Sequence, residues 1–215
     1  YIKNKVTKMT ADEPIIYGEK PAPGTVDPCT IIKEGEAIGT FYGFKWAGVE
    51  KNDKGQYVDM YYAADGTKTA SPNAGTDRFV LGRSNPEVTL GWNNTITYKN
   101  WDFNMFCNAA FGAKRLNIVR FAMNAEVGAS RFVTDKDHFS NIGVTMPTIG
   151  AENKNYGNSD KWLENADYFR CENISVAYTF PRSVTKLADI RLSLSAQNLF
   201  TITGYKGIDP AGASF

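Results

Sequence analysis

The residue type most often used for proton transfer and metal binding at neutral pH, histidine, occurs once in the chain. His138 is the single histidine, and it follows the charged residues Asp135, Lys136 and Asp137. A histidine can act as a general base or a metal ligand, but either role needs a nucleophile or further ligands placed with it. No such residue accompanies His138, so we interpret it as a solvated loop residue. We predict no catalytic residue, no metal site and no cofactor.

Carboxylates in the first third of the chain offer a second possible chemistry. Asp53, Asp59 and Asp65 could supply oxygen ligands to calcium from a loop, with Gly66 following the last of them. Their spacing does not match the twelve-residue calcium-binding loop. We therefore interpret them as turn-forming carboxylates.

Glycines and aromatic residues are mixed between residues 39 and 48. Gly39, Gly43 and Gly48 are not followed by the Lys-Ser/Thr pair and helix of a phosphate-binding loop. They are interpreted as backbone kinks beside aromatic side chains. Tyr42 and Trp46 are candidate substrate-binding residues that could stack on sugar rings or contact a partner, although packing in a core or at a membrane boundary is the favoured role.

The composition indicates which kind of secondary structure positions these residues. The chain has 215 residues, of which 42% are hydrophobic and 22% charged, and its net charge is +1. These values exclude wholesale disorder and give no electrostatic support for binding nucleic acid. No apolar stretch approaches the roughly 20 residues of a membrane-spanning helix. The 13% aromatic content, with 19 glycines and nine prolines, predicts an all-β protein with long loops.

The cysteines do not form a recognisable scaffold. Cys29, Cys107 and Cys171 are odd in number, so they cannot all pair within the chain. No CxxC spacing is present, which argues against a zinc site and against a disulfide framework.

Four segments alternate between apolar and polar residues over unusual lengths. The even positions of residues 87–98 are mostly apolar, and after Lys99-Asn100 the odd positions of residues 101–112 are apolar instead. Residues 167–180 and 190–202 alternate in the same way across a short connection. Runs of about 11–12 residues exceed an ordinary strand and match a tilted strand that crosses an outer membrane. We therefore predict two hairpins of membrane-spanning length.

The two faces of these segments differ in the way that a membrane barrel requires. The polar face carries mainly Ser, Thr, Asn and Gly, which suits a wet lumen. Tyr98 and Trp101 flank one short turn, as interfacial aromatic residues do in barrels. The residues predicted to face lipid are Val88, Leu90, Trp92, Ile96, Phe103, Met105, Ile174, Val176, Leu192 and Leu194.

Orientation follows if short turns face the periplasm and long loops face outside. The predicted strands are residues 1–8, 87–98, 101–112, 167–180 and 190–202, and the predicted outer loops are residues 9–86, 113–166 and 203–215. Arg170 and Glu172 share the outward parity of Ile174 and are expected at the upper end, where a charge clears the bilayer. Asn198 also has outward parity and is expected to mark a bulge or the upper boundary. About five crossing strands cannot close a barrel, so we expect part of a larger one.

Several stretches, in this order and spacing, resemble one protein family across nearly the whole chain. They are Asn4–Val6, Gly39–Phe44 with Gly48–Val49, Leu81–Pro86, Tyr98–Phe103, Trp162–Arg170, Asn173–Pro181, Ala196–Thr201 and Gly204–Pro210. The chain resembles the C-terminal part of SusC/RagA-type TonB-dependent transporters, the outer-membrane nutrient importers of Bacteroidetes.

The resemblance implies a fold, partners and a location. The fold would be a large antiparallel transmembrane β-barrel, 22-stranded in the family, with long extracellular loops. The plug domain and the last strand are expected to be absent from residues 1–215. The implied partners are a SusD-like surface lipoprotein, the TonB complex acting through the missing N-terminal part, a glycan or peptide substrate, and membrane lipid. The implied location is the outer membrane of a Gram-negative bacterium, and the implied role is transport without catalysis.

An alternative remains open from the residues alone. A soluble secreted β-sandwich also has alternating strands and aromatic residues, and it could act as a glycan-binding module. It would fold without detergent and bind through exposed aromatic side chains.

Overall fold

The computed structural model describes residue 1 and residues 4–18, 28–55, 57–118, 120–121 and 156–212. These residues include thirteen strands, one short α-helix and a 3₁₀ turn at Asp160–Trp162, so the prediction of an all-β fold is confirmed. In chain order the elements are β1 Ile15–Tyr17, β2 Thr30–Ile32, β3 Thr40–Phe44, β4 Trp46–Lys51, β5 Tyr57–Tyr62, β6 Lys68–Thr69, β7 Arg78–Arg83, β8 Val88–Tyr98, β9 Trp101–Phe111, β10 Lys114–Leu116, β11 Leu163–Asn165, β12 Tyr168–Phe180, α1 Arg182–Thr185 and β13 Ile190–Thr203. Among them, no helix is long and apolar enough to cross a membrane.

The largest element is an antiparallel sheet of four long strands in the order β13-β12-β9-β8. These strands have 14, 13, 11 and 11 residues respectively. Lys99 has a φ of 54° in the two-residue turn between β8 and β9, the left-handed conformation that such tight hairpins need. Within the described residues, β8 and β13 are the edges of this sheet.

The segments predicted as outer loops form a layer of shorter strands. It contains the sheet β1-β2-β3-β7, the sheet β4-β5-β6 and the pair β10-β11. Its buried core consists of Cys29, Phe41, Leu116, Phe121 and Trp162. We call the part of this layer that the structure describes the loop layer. The segments assigned to loops by their Gly, Pro and Asp content thus contain β-structure with an apolar core of its own.

The prediction of a strand at residues 1–8 does not agree with the described part of that segment. Among the described residues of this segment, none is in a strand. Val6 donates its N–H to the carbonyl of Glu36 at 2.8 Å and accepts from the N–H of Gly35 at 2.9 Å. A strand needs a partner along its length, and these two bonds join the segment to a turn at one point instead.

Candidate functional site

The four-stranded sheet separates its side chains into two faces of opposite chemistry. One cross-strand row contains Ile96, Phe103, Val176 and Leu194. The adjacent row, on the other face, contains Thr95, Asn104, Ser175 and Ser195. All residues predicted to face lipid fall on the first face by register, which we call the apolar face.

The apolar face is open to its surroundings. Leu194 is 78% exposed, Leu192 67% and Leu90 57%. The described residues supply no second sheet that packs over these side chains. A contiguous exposed apolar surface of this kind marks contact with a partner or a membrane.

A bulge in β12 changes the face of the sheet on which two residues lie. The register of β12 shifts between Cys171 and Asn173, leaving Glu172 as an extra residue. Above this point Arg170 pairs with Asn108 of β9, on the polar face. The outward parity predicted for Arg170 and Glu172 is therefore wrong, because an inserted residue reverses the alternation of the strand beyond it.

The adjacent strand β13 is irregular at the same level. Asn198 has a φ of 50°, and it lies between Gln197, which pairs with Asn173, and Phe200, which pairs with Cys171. The predicted bulge at Asn198 agrees with its conformation and with the broken register, and its place at the upper membrane boundary stays a prediction.

Polar side chains on the opposite face bond to one another across the strands. Asn104 donates to Thr95 Oγ1 at 2.9 Å, and Thr97 Oγ1 donates to Asp102 Oδ1 at 3.0 Å. Asn108 donates to Glu172 Oε1 at 2.6 Å, so the extra residue of the bulge has a partner on the polar side. Such a face can line water or other polar groups, and Asn108 Oδ1, which is buried without a hydrogen-bond partner, remains available to accept one more bond.

Aromatic residues gather at the turn end of the sheet. The rings of Trp101 and Tyr178 have centroids 4.8 Å apart, and those of Tyr178 and Phe180 are 4.7 Å apart. Tyr98, on the other side of the tight turn, is 65% exposed. Rings with one apolar side and a polar tip suit the boundary between lipid and water.

Tyr42, the first candidate for sugar stacking, lies on β3 in the loop layer. Its half-buried ring lies 4.9 Å from the guanidinium carbon of Arg78. Arg78 also donates to the carbonyl groups of Pro28 and Tyr42. One side of the Tyr42 ring is thus occupied by an internal cation–π contact.

Trp46, the second candidate, is fixed by two hydrogen bonds. Its backbone N–H donates to Asp160 Oδ1 at 2.7 Å, and its indole N–H donates to Asp59 Oδ1 at 2.8 Å. Asp59 is fully buried and also accepts from Lys161 Nζ at 2.7 Å. These residues form a cluster, here called the ion-pair cluster, that consists of Trp46, Asp59, Asp160 and Lys161.

Burial shapes the electrostatics of the ion-pair cluster. The Lys161 side chain is 9% exposed, and its burial lowers its pKa despite the opposing charge of Asp59. Burial likewise raises the pKa of Asp160, which the Trp46 N–H partly offsets. Tyr61, which is fully buried next to this cluster, has a raised pKa because of burial and of the Asp59 charge. The polar groups of the cluster bond to one another, so we assign it a structural role: it holds together segments that are distant along the chain.

The remaining candidate residues do not converge. Asp65 accepts from the Thr67 N–H at 2.9 Å, as a turn-forming carboxylate does, whereas Asp59 belongs to the ion-pair cluster. No group of three or more potential metal ligands occurs in the described ranges. His138 lies outside the described residues.

Gly43 shows why one of the three glycines is needed. A Cβ atom there would lie 1.7 Å from the carbonyl oxygen of Asn158. That same oxygen accepts from the Phe44 N–H at 3.1 Å, so β3 and the segment before β11 make backbone contact. The interpretation of Gly43 as a position of close backbone approach agrees with this geometry.

The residues of the ion-pair cluster were missed as a set by sequence reasoning. Asp59 and Lys161 are 102 residues apart, and no periodicity joins them. The sequence feature closest to this cluster was Trp162, which begins one of the stretches that resemble the family. The ring of Trp162 lies 4.7 Å from Lys161 Nζ.

Comparison with known proteins relates this sheet and loop layer to one class of receptor. No protein-family model matches the chain. TonB-dependent receptor P3 of Formosa agariphila is 29% identical over 97% of the chain and 22% of its own length. TonB-dependent receptor SusC of Bacteroides thetaiotaomicron is 26% identical over 96% of the chain and 21% of its own length. The chain spans about a fifth of the length of these relatives.

Solved structures agree on the fold. A structure of the RagAB peptide transporter superposes with a TM-score of 0.73 at 23% identity, covering 96% of the chain and 23% of that structure's chain. The RagAB peptide importer in the open-open state gives a TM-score of 0.71 at 22% identity, over 98% and 23%. The curated relatives confirm the predicted resemblance to SusC/RagA-type TonB-dependent receptors, and the solved structures support the fold. These relatives are named as receptors and importers, which fits the prediction of a protein that is not an enzyme.

Proposed function

We propose that this chain forms part of the barrel wall and outer loops of a TonB-dependent importer in the outer membrane of a Gram-negative bacterium. The observation that carries the proposal is the apolar face, whose side chains on the edge strands β8 and β13 are largely exposed along strands of 11 and 14 residues. Tilted strands of roughly 9–11 residues cross an outer membrane, so these strands are long enough to span it and extend beyond. The polar face would then line the lumen.

Within this proposal the residues predicted to face lipid keep that role. Leu192 and Leu194 have the most exposed of these side chains, and transfer of such surface from water to hydrocarbon is favourable by about 25 cal/mol per Å². The loop layer lies on the extracellular side, at the opposite end of the sheet from the tight turn after Tyr98. Tyr42 and Trp46 remain candidate substrate contacts through the exposed parts of their half-buried rings.

The substrate and partners are proposed from the relatives. One relative is named SusC, and the similar structures are of a peptide importer, so we propose oligosaccharides or peptides as the cargo. A SusD-like surface lipoprotein would share in capturing the substrate, and TonB would supply energy through a part of the receptor other than residues 1–215.

The soluble β-sandwich alternative is disfavoured by one observation. A sandwich buries the apolar face of each sheet against the other, whereas here the described residues leave this face exposed.

Recovery of the native polypeptide tests the proposal. We expect the protein that carries this sequence in purified outer membranes, released by detergent alone, with an intact mass several times 23.8 kDa. Deletion of its gene should abolish uptake of a labelled oligosaccharide or peptide pool, and deletion of TonB should have the same effect. A species near 23.8 kDa that washes off without detergent would overturn the proposal and restore the glycan-binding module.

A further inference from the structure

Two of the three cysteines lie opposite one another in the long sheet. Cys107 of β9 and Cys171 of β12 are direct partners in the antiparallel register. Both are free thiols, and they are 2% and 1% exposed.

The bulge is what brings these two thiols together. Below it, Ile174 pairs with Met105, and above it Cys171 pairs with Cys107. In an unbroken register, Glu172 would stand opposite Cys107 instead. The extra residue therefore removes a carboxylate from the apolar face and puts a second thiol there.

The spacing of a direct antiparallel pair suits a covalent bond. Opposite residues have Cα atoms about 4.5 or 5.5 Å apart, depending on the type of pair. A disulfide spans Cα separations of about 4.4–6.8 Å, provided that the Cβ atoms approach to about 4 Å. Cys107 and Cys171 share one face of the sheet, so their Cβ atoms already point the same way.

We propose that Cys107 and Cys171 form a cross-strand disulfide that fastens β9 to β12. The two thiols give up two protons and two electrons as the S–S bond forms, and the disulfide of an oxidising protein accepts them and becomes a dithiol. The inference rests on the proposed function, because an outer-membrane protein passes through the periplasm, where such oxidants act. Cys29 lies in the core of the loop layer and has no part in this pair, which accounts for the odd number of cysteines.

The disulfide would join strands that are distant along the chain. Residues 112–167 separate β9 from β12, and a crosslink that closes a long segment removes many conformations from the unfolded chain. It would hold the two central strands of the sheet in register at the level of the bulge.

Peptide mapping tests the pair. The full-length receptor is taken from native outer membranes, denatured with an excess of iodoacetamide and without reductant, and cleaved with trypsin. Cleavage after Lys99, Lys114, Arg170 and Arg182 puts Cys107 on residues 100–114 and Cys171 on residues 171–182. We expect these two peptides to appear joined in most molecules and to separate on reduction, while Cys29 is alkylated as a free thiol.

Variants and outcomes separate the explanations. In Cys107→Ser, Cys171 should become fully alkylated, and reduction should lower the unfolding temperature of the wild-type receptor without changing that of the variant. Both thiols alkylated in a full-size receptor from the outer membrane would overturn the disulfide and leave the proposed function intact. A soluble species near 23.8 kDa would instead overturn the proposed function, whatever the state of its cysteines.

Discussion

The ammonium group of Lys161 donates to both carboxylate oxygens of Asp59 at 2.7 Å, joining segments 102 residues apart. Asp59 is fully buried and the Lys161 side chain almost so. Two charges withdrawn from water in this way stabilise a fold only as a pair, because either one alone would be costly to bury. The attachment of β5 to the segment before β11 therefore depends on both residues being present.

Removal of one member of this pair should weaken the loop layer strongly. We expect Lys161→Met in the full-length receptor to cost about 3–5 kcal/mol, since it leaves the Asp59 carboxylate buried without its counter-charge. The measurement is the susceptibility of residues 156–162 to limited proteolysis. Glu50→Gln is the matched control: it breaks the exposed Lys68–Glu50 pair, which water and salt screen, and should leave proteolysis nearly unchanged. Equal susceptibility of the two variants would contradict the assignment.

Neighbouring residues of β12 provide a test of the two faces of the sheet. Val176→Arg should cost about 2–4 kcal/mol of barrel stability in a bilayer, because it places a charge against hydrocarbon. Ser175→Arg should cost little, since Ser175 pairs with Asn104 and Ser195 on the polar face. Denaturant unfolding of the full-length receptor in lipid vesicles measures both. If the two variants lose equal stability, the assignment of the faces is wrong.

A single methyl group should disrupt the contact between β3 and Asn158. Gly43→Ala puts a Cβ atom 1.7 Å from a backbone oxygen that cannot move without losing its bond to Phe44. We expect a loss of about 1–3 kcal/mol, as for other overpacked sites. Hydrogen exchange at the Phe44 amide should accelerate accordingly. Gly204→Ala, where a Cβ atom meets nothing within 4 Å, should leave that exchange unchanged.

Acid should loosen the turn of the loop layer that accepts its hydrogen bonds at Asp77. The N–H groups of Asn73 and Ala64 donate to Asp77 and hold its pKa below the ordinary value of 3.8. Because the folded pKa is the lower one, Asp77 stabilises the turn above pH 4 or so, and this contribution is lost as the pH falls through the folded value. Exchange protection of these two amides, corrected for the intrinsic effect of pH, should drop in acid. In Asp77→Asn the additional loss of protection in acid should be missing; its persistence would implicate another group.

The hairpins were predictable because their information is local. Alternation with period two over residues 87–98 and 101–112 reports directly which side chains share a face. Arg170 and Glu172 were assigned to the wrong face because one inserted residue reverses parity and leaves no mark in the composition of the strand. The role of Trp46 was out of reach for another reason. Its hydrogen-bond partner Asp160 is 114 residues away, and only the folded chain brings them together.

The free edges of the long sheet carry a further consequence. Among the residues that the structure describes, β8 and β13 have no strand on their outer sides, so each presents a row of backbone N–H and C=O groups there. In hydrocarbon, where water cannot satisfy such groups, each row is a template that selects a neighbouring strand and dictates its alignment. The irregularity at Asn198 interrupts one of these templates, so a strand that adds to β13 must match its bend or stop there. If the proposed function holds, the shape of these two edges limits which strands can pair with them when the barrel inserts.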